Sequence, residues 1–119
     1  MSKIALRTGH APGTGANGII DEYFECRSIF ETVRDVLIHA GHEVIDCSSL
    51  DQNAKQNLDH GVNTANDSGA DLFVSLHLNA CVEPNTGYGS ECWVYSAGGE
   101  AQKFSVFVIE GLRLRISMN

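Results

Sequence analysis

Basic side chains are scarce in this chain: lysine and arginine number 8 against 15 acidic residues, for a formal net charge of −7 over 119 residues. A phosphate backbone needs a cluster of positive charge, so nucleic acid is a poor partner for this surface. The four cysteines, at 26, 47, 81 and 92, form no C-x-x-C pair, which argues against a structural zinc knuckle. Long hydrophobic runs are missing, and no stretch approaches the length of a membrane span. The opening residues Met1-Ser2-Lys3-Ile4-Ala5-Leu6 already read as a strand. No charged leader runs into a long apolar segment, so the expectation is cytoplasmic synthesis without a signal peptide, with reduced cysteines. Internal repeats, low-complexity tracts and linkers are absent as well. One domain over residues 1–119, with a modest core, is the expected organisation.

What is present is an alternation of strands and helices. Residues 3–8 read as a strand, and a loop rich in glycine follows through Gly18. From about residue 21 the spacing turns helical: Cys26, Phe30, Val33 and Leu37 fall on one face, with Ile29 and Val36 beside them. Gly41 supplies a stop. Residues 42–47 form a second strand. A polar helix over about 50–68 turns Val62, Ala65 and Leu58 inward. Residues 71–80 form a third strand, 81–89 a loop containing Pro84, and 90–96 a fourth strand. From residue 100 the chain is helical, with Phe104, Phe107, Val108 and Leu112 on one face, while Leu112 to Ile116 alternates instead. This pattern predicts an α/β fold: a twisted, mostly parallel sheet with helices on both faces.

The chemistry gathers at strand ends. On the third strand Ser75, His77 and Asn79 share one face. His10 follows the first strand, and Glu22 opens the first helix, where the helix dipole favours an anion. Folds of this class place their sites at the carboxyl ends of strands. Two histidines and a glutamate from separate elements form the three-ligand set of a catalytic zinc centre, with a fourth position left for water. Each residue also has a plain structural use. Glu22 can be a first-turn charge, and Glu25, one turn on, competes for its role. His39 and His42 flank a helix end, and His60 sits in a polar helix. Cys81 or Cys92 could pair with His77 as a nucleophile. Tyr23, Phe24, Trp93 and Tyr95 could line a sugar or peptide groove or serve as core. Ser75 lacks the glycine pattern of a nucleophile elbow.

Gly9-His10, Gly18-Ile19-Ile20-Asp21-Glu22, Ser75-Leu76-His77-Leu78-Asn79-Ala80 and Gly89-Ser90-Glu91-Cys92-Trp93-Val94-Tyr95 together resemble the zinc-dependent N-acetylmuramoyl-L-alanine amidases of the amidase 3 type. These occur in bacterial autolysins and phage endolysins, and the chain resembles the clostridial phage endolysin group most. The resemblance implies zinc held by His10, Glu22 and His77, peptidoglycan as substrate, and cleavage of the amide between N-acetylmuramic acid and L-alanine. It assigns no catalytic role to Asn79 or Glu91. It departs from the family at Gly-His-Ala-Pro, where Gly-His-Gly-Gly is common. It also implies that the family's general-base glutamate, with its strand, lies beyond Asn119; Glu110 does not match that position. A non-catalytic wall-binding fragment of such an amidase is the alternative, and a different metallohydrolase such as an exopeptidase a third. A hydrolase of this kind without a signal peptide would reach the wall through a phage holin or on cell lysis.

Overall fold

The computed structural model describes residues 1–15, 21–78 and 90–118, with residues 113–118 described by backbone alone. The chain divides into two compact units, Met1–Ala80 and Cys81–Asn119. The first unit holds three strands and two helices in the order β1 (Lys3–Thr8), α1 (Glu22–His39), β2 (Glu43–Asp46), α2 (Ala54–Ser68) and β3 (Leu72–Leu76). The strands form a parallel sheet in the order β2-β1-β3, so the fold is α/β as the alternation predicts.

The central place of β1 explains why it is apolar throughout. Ile4 to Thr8 are all buried, as both faces of a parallel central strand are covered. The chain steps from β1 to β2 in one direction and returns past β1 to β3 in the other. Right-handed crossovers therefore put α1 and α2 on opposite faces. Ala5 packs with Cys47 and Ala65 of α2, and Arg7 reaches Asn57 of the same helix. Alternation then leaves Ile4, Leu6 and Thr8 for the face of α1. That helix buries Cys26 and Phe30, as its spacing predicts, while Ile29 and Val36 stay exposed. Asp21 caps α1 by accepting from the backbone N–H groups of Tyr23 and Phe24 at 3.0 and 3.3 Å. Gly41, with φ +94°, lets the chain leave the helix.

Three sequence expectations are corrected. The inward line of α2 is Asn57, Gly61 and Ala65, whereas Leu58 and Val62 are 46% and 38% exposed. The helix is rotated because its inner face must accommodate the side chain of Arg7. A Cβ on Gly61 would lie 3.0 Å from Arg7 Cδ. The fourth strand over 90–96 does not form, and residues 90–94 carry no regular structure. Alternation marks a segment able to be a strand, but a strand also needs a neighbour to pair with; here Trp93 and Tyr95 are fully or largely exposed. Last, the alternating end continues as helix: α3 spans Glu100–Met118. The third strand is shorter than expected, and Asn79, Ala80 and the loop over 81–89 lie outside the described residues. Among the described residues no helix is long and apolar enough to cross a membrane.

Candidate metal centre

Two adjacent parallel strands deliver the histidines. β1 and β3 run in register with Thr8 opposite Leu76, and Gly9 N–H continues the ladder to the Leu76 carbonyl at 2.8 Å. His10 and His77 therefore emerge side by side at the carboxyl end of the sheet. Glu22, the first residue of α1, is only 2% exposed and comes in from the covering helix. Its Oε1 accepts from the Leu78 backbone N–H at 2.9 Å, which ties the helix start to the end of β3.

The three side chains converge. His77 Nδ1 and His10 Nε2 are 3.2 Å apart, and Glu22 Oε1 lies 3.3 Å from the first and 3.5 Å from the second. The separations suit atoms that share a metal. A charge-assisted N–H···O bond settles at about 2.7–2.9 Å, shorter than either carboxylate contact. Ligands about 2.0–2.1 Å from a shared tetrahedral zinc sit roughly 3.3 Å from one another. All three distances match that edge length. The donor set, two imidazoles and one carboxylate, also suits zinc. Burial, with the neighbouring His10, pushes the His77 pKa below its ordinary value against the opposing pull of Glu22. The neutral ring that results keeps a lone pair for a metal.

Close packing holds the arrangement. A Cβ on Gly9 would fall 2.0 Å from His77 Cε1, so the ring lies directly against bare backbone. Gly15, with φ +88°, brings the loop within 2.6 Å of the His10 ring and 2.8 Å of Glu22 Oε2, measured from where a Cβ would sit. Beside the cluster a cleft of about 390 Å³ is lined by His10, His77, Thr14, Gln52, Asn57 and Leu58, among others.

The other candidates fall away from the cluster. Glu25 is exposed, and among the described residues the metal-competent group is His10, Glu22 and His77. His42 Nδ1 accepts from the Ser2 N–H at 3.0 Å, a structural use, and His60 is exposed. Ser75 does share the face of His77, 3.1 Å from its Nε2. Cys92 is exposed in the second unit, and Cys81 lies outside the described residues, as does Asn79. Glu110 is an exposed residue of α3.

Sequence reasoning assigned no role to Arg7 or Asn57. Arg7 is 3% exposed and donates to Ser75 Oγ at 2.9 Å, to the Gly9 carbonyl at 3.1 Å and to Asn57 Oδ1. Asn57 in turn donates to the carbonyls of Ser49 and Asp51. The available signal was an arginine inside an apolar strand, matched by an Asn-x-x-x-Gly-x-x-x-Ala line on a helix.

A parallel sheet with a two-histidine, one-carboxylate cluster at its carboxyl end makes this an α/β domain with a candidate metal site. The chain belongs to the amidase 3 family: the sequence model of that family, described as N-acetylmuramoyl-L-alanine amidase, matches residues 4–117. An uncharacterized protein of Clostridium perfringens (strain 13 / Type A) is 35% identical over 112 residues, covering 92% of this chain and 33% of that one. A second C. perfringens protein, of 38.4 kDa, is 36% identical over 110 residues, or 91% and 32%. The protein named "Probable autolysin PH" of Staphylococcus aureus is 33% identical over 100 residues, or 71% and 21%. The chain thus spans about a third of the length of the clostridial relatives. Among solved structures, the CwlD amidase of Clostridioides difficile, in complex with the GerS lipoprotein, shares the fold. Its TM-score is 0.60 at 23% identity, over 76% of this chain and 54% of that one.

Proposed function

We propose that this chain is the metal-binding part of a peptidoglycan amidase, which cleaves the amide between N-acetylmuramic acid and L-alanine, with zinc held by His10, Glu22 and His77. The observation that supports the reading is the triangle of ligand atoms at 3.2, 3.3 and 3.5 Å, which fits a zinc coordination edge. Zinc bound there would polarise a carbonyl and lower the pKa of water to about 7. Glu22 supplies the negative charge that anchors the cation, and its burial keeps that charge undiluted by solvent. Gly9 and Gly15 let backbone pass close to both rings, so the histidines are held by packing. The cleft with Thr14, Gln52 and Leu58 presents polar and apolar groups beside the site, suited to a sugar-linked peptide.

One observation favours a second reading, a wall-binding fragment without turnover. Among the described residues the cluster contributes a single carboxylate, Glu22, which as a ligand is not free to act as general base, and Asp51 of the adjoining cleft accepts from the Asn53 N–H at 2.9 Å. Loss of a general base lowers rates by roughly 10²–10⁴-fold. The test is incubation of the zinc-supplemented chain with purified peptidoglycan, followed by labelling of new alanine amino termini. Their release, abolished by chelator and by His77→Ala, is the expected result. Zinc-dependent wall binding without release supports the second reading; neither binding nor release refutes both.

A further inference from the structure

We propose that Arg7 is a positioning residue for the metal centre: its buried guanidinium fixes Ser75, and through Ser75 the ring of His77. The inference rests on the reading that His77 binds zinc.

Geometry links the three residues in a line. Arg7 and Ser75 are register partners on adjacent strands, so their side chains stand on one face of the sheet. Arg7 NH1 donates to Ser75 Oγ at 2.9 Å, and Ser75 Oγ is 3.1 Å from His77 Nε2. The other ring nitrogen, Nδ1, faces Glu22 and His10. When Nδ1 gives its lone pair to a metal, the ring proton resides on Nε2 and needs an acceptor. A serine oxygen has two lone pairs. Arg7 engages one and leaves the other facing the imidazole. Metal-bound histidines are regularly oriented by a partner on the far nitrogen.

A purely structural role explains Arg7 poorly. Among the described residues its hydrogen-bond partners, Ser75, Gly9 and Asn57, are all neutral. Among those same residues its Nε, fully buried, has no hydrogen-bond partner. A buried cation hydrogen-bonded to neutral partners is destabilising, and an apolar residue of similar volume would pack as well or better. The surroundings are nevertheless shaped for it. Gly61 leaves room at Cδ and Nε, where a Cβ would sit 3.0 and 3.1 Å away. Asn57 is clamped by two backbone carbonyls so that its Oδ1 faces the guanidinium. The fold keeps an unfavourable group where it fixes the direction of a ligand.

The experiment measures zinc affinity of the full chain, by competition with a chromophoric chelator, for wild type, Ser75→Ala, Arg7→Met and the double variant. Thermal unfolding of each metal-free chain is recorded in parallel. Ser75→Ala should weaken zinc binding by about 10–100-fold, beyond the lower metal-free unfolding temperature expected from orphaning the Arg7 donor, which the parallel unfolding records separately. Arg7→Met should weaken it comparably. In the Ser75→Ala background it should add less than about twofold, since its effect runs through Ser75. Should Arg7→Met not fold, Gly61→Ala, which crowds Arg7, replaces it. Wild-type affinity in Ser75→Ala, or an Arg7 effect equally large in both backgrounds, overturns the inference and leaves the metal centre standing. A wild-type chain that binds no zinc overturns the metal centre itself.

Discussion

Replacing Gly9 by alanine should dismantle the metal centre while sparing the fold. The added Cβ would lie 2.0 Å from His77 Cε1 and 2.3 Å from Nδ1 and Nε2. Carbon atoms need about 3.5 Å between centres, so the ring must retreat by roughly 1.5 Å. Metal ligands tolerate only about 0.2 Å, so His77 would cease to be one. The backbone is not the obstacle, because Gly9 has no left-handed φ and its N–H bond to Leu76 can persist. The ring can also swing outward, for the His77 side chain is 43% exposed. Overpacking would then cost at most about 1–3 kcal/mol, offset in part by about 0.4–1 kcal/mol from a stiffer unfolded chain. Loss of a ligand should weaken zinc binding by at least about 100-fold. At saturating zinc that removes about 2.7 kcal/mol of ligand-linked stability, or roughly 10 °C in unfolding temperature. Calorimetric titration and thermal unfolding with and without zinc measure both quantities. A Gly9→Ala chain with wild-type zinc affinity would refute the reasoning.

The surface chemistry makes further predictions. Burial, reinforced by Glu22, pushes the Cys26 thiol up to about 11, and burial pushes Cys47 up to about 11 against the pull of Arg7. A thiol reagent at pH 8 should therefore label exposed Cys92 and spare Cys26 and Cys47 until the chain unfolds, as peptide mass mapping would show. Burial raises the Asp46 carboxyl, but hydrogen bonds from Arg27 and Ser48 outweigh it and hold the pKa below the ordinary value. Stability from this pair is present above about pH 4, the unfolded value, and is lost as pH falls through the lower folded one. Both side chains are partly exposed, at 30% and 42%, so the contribution is under about 1 kcal/mol. In denaturant unfolding, Arg27→Ala should cost more at pH 7 than at pH 3. The remainder, common to both pH values, reflects loss of its stacking 4.2 Å over Phe30.

The strands and the first helix were legible because their signals are local. The run from Lys3 to Thr8 is apolar enough to be a doubly covered strand, and Cys26, Phe30, Val33 and Leu37 repeat at helical spacing. The three ligands were legible for a related reason: strand ends in an α/β pattern are where such chemistry collects. The inner face of α2 was not. Leu58 and Val62 outrank Asn57 and Gly61 in hydrophobicity, yet a long-range contact with Arg7 decides which side turns in. Nor did the alternation over 90–96 reveal that, among the described residues, no strand pairs with the segment. The needs for Gly9 and Gly15 were also hidden, because they come from rings brought close only by the fold.

Metal stoichiometry tests the account most directly. Elemental analysis of the chain after zinc loading and removal of excess should give about one zinc per chain, falling to near zero in Glu22→Gln and His77→Ala variants that still fold. A folded wild-type chain without zinc, or variants that retain it, would contradict the proposed centre.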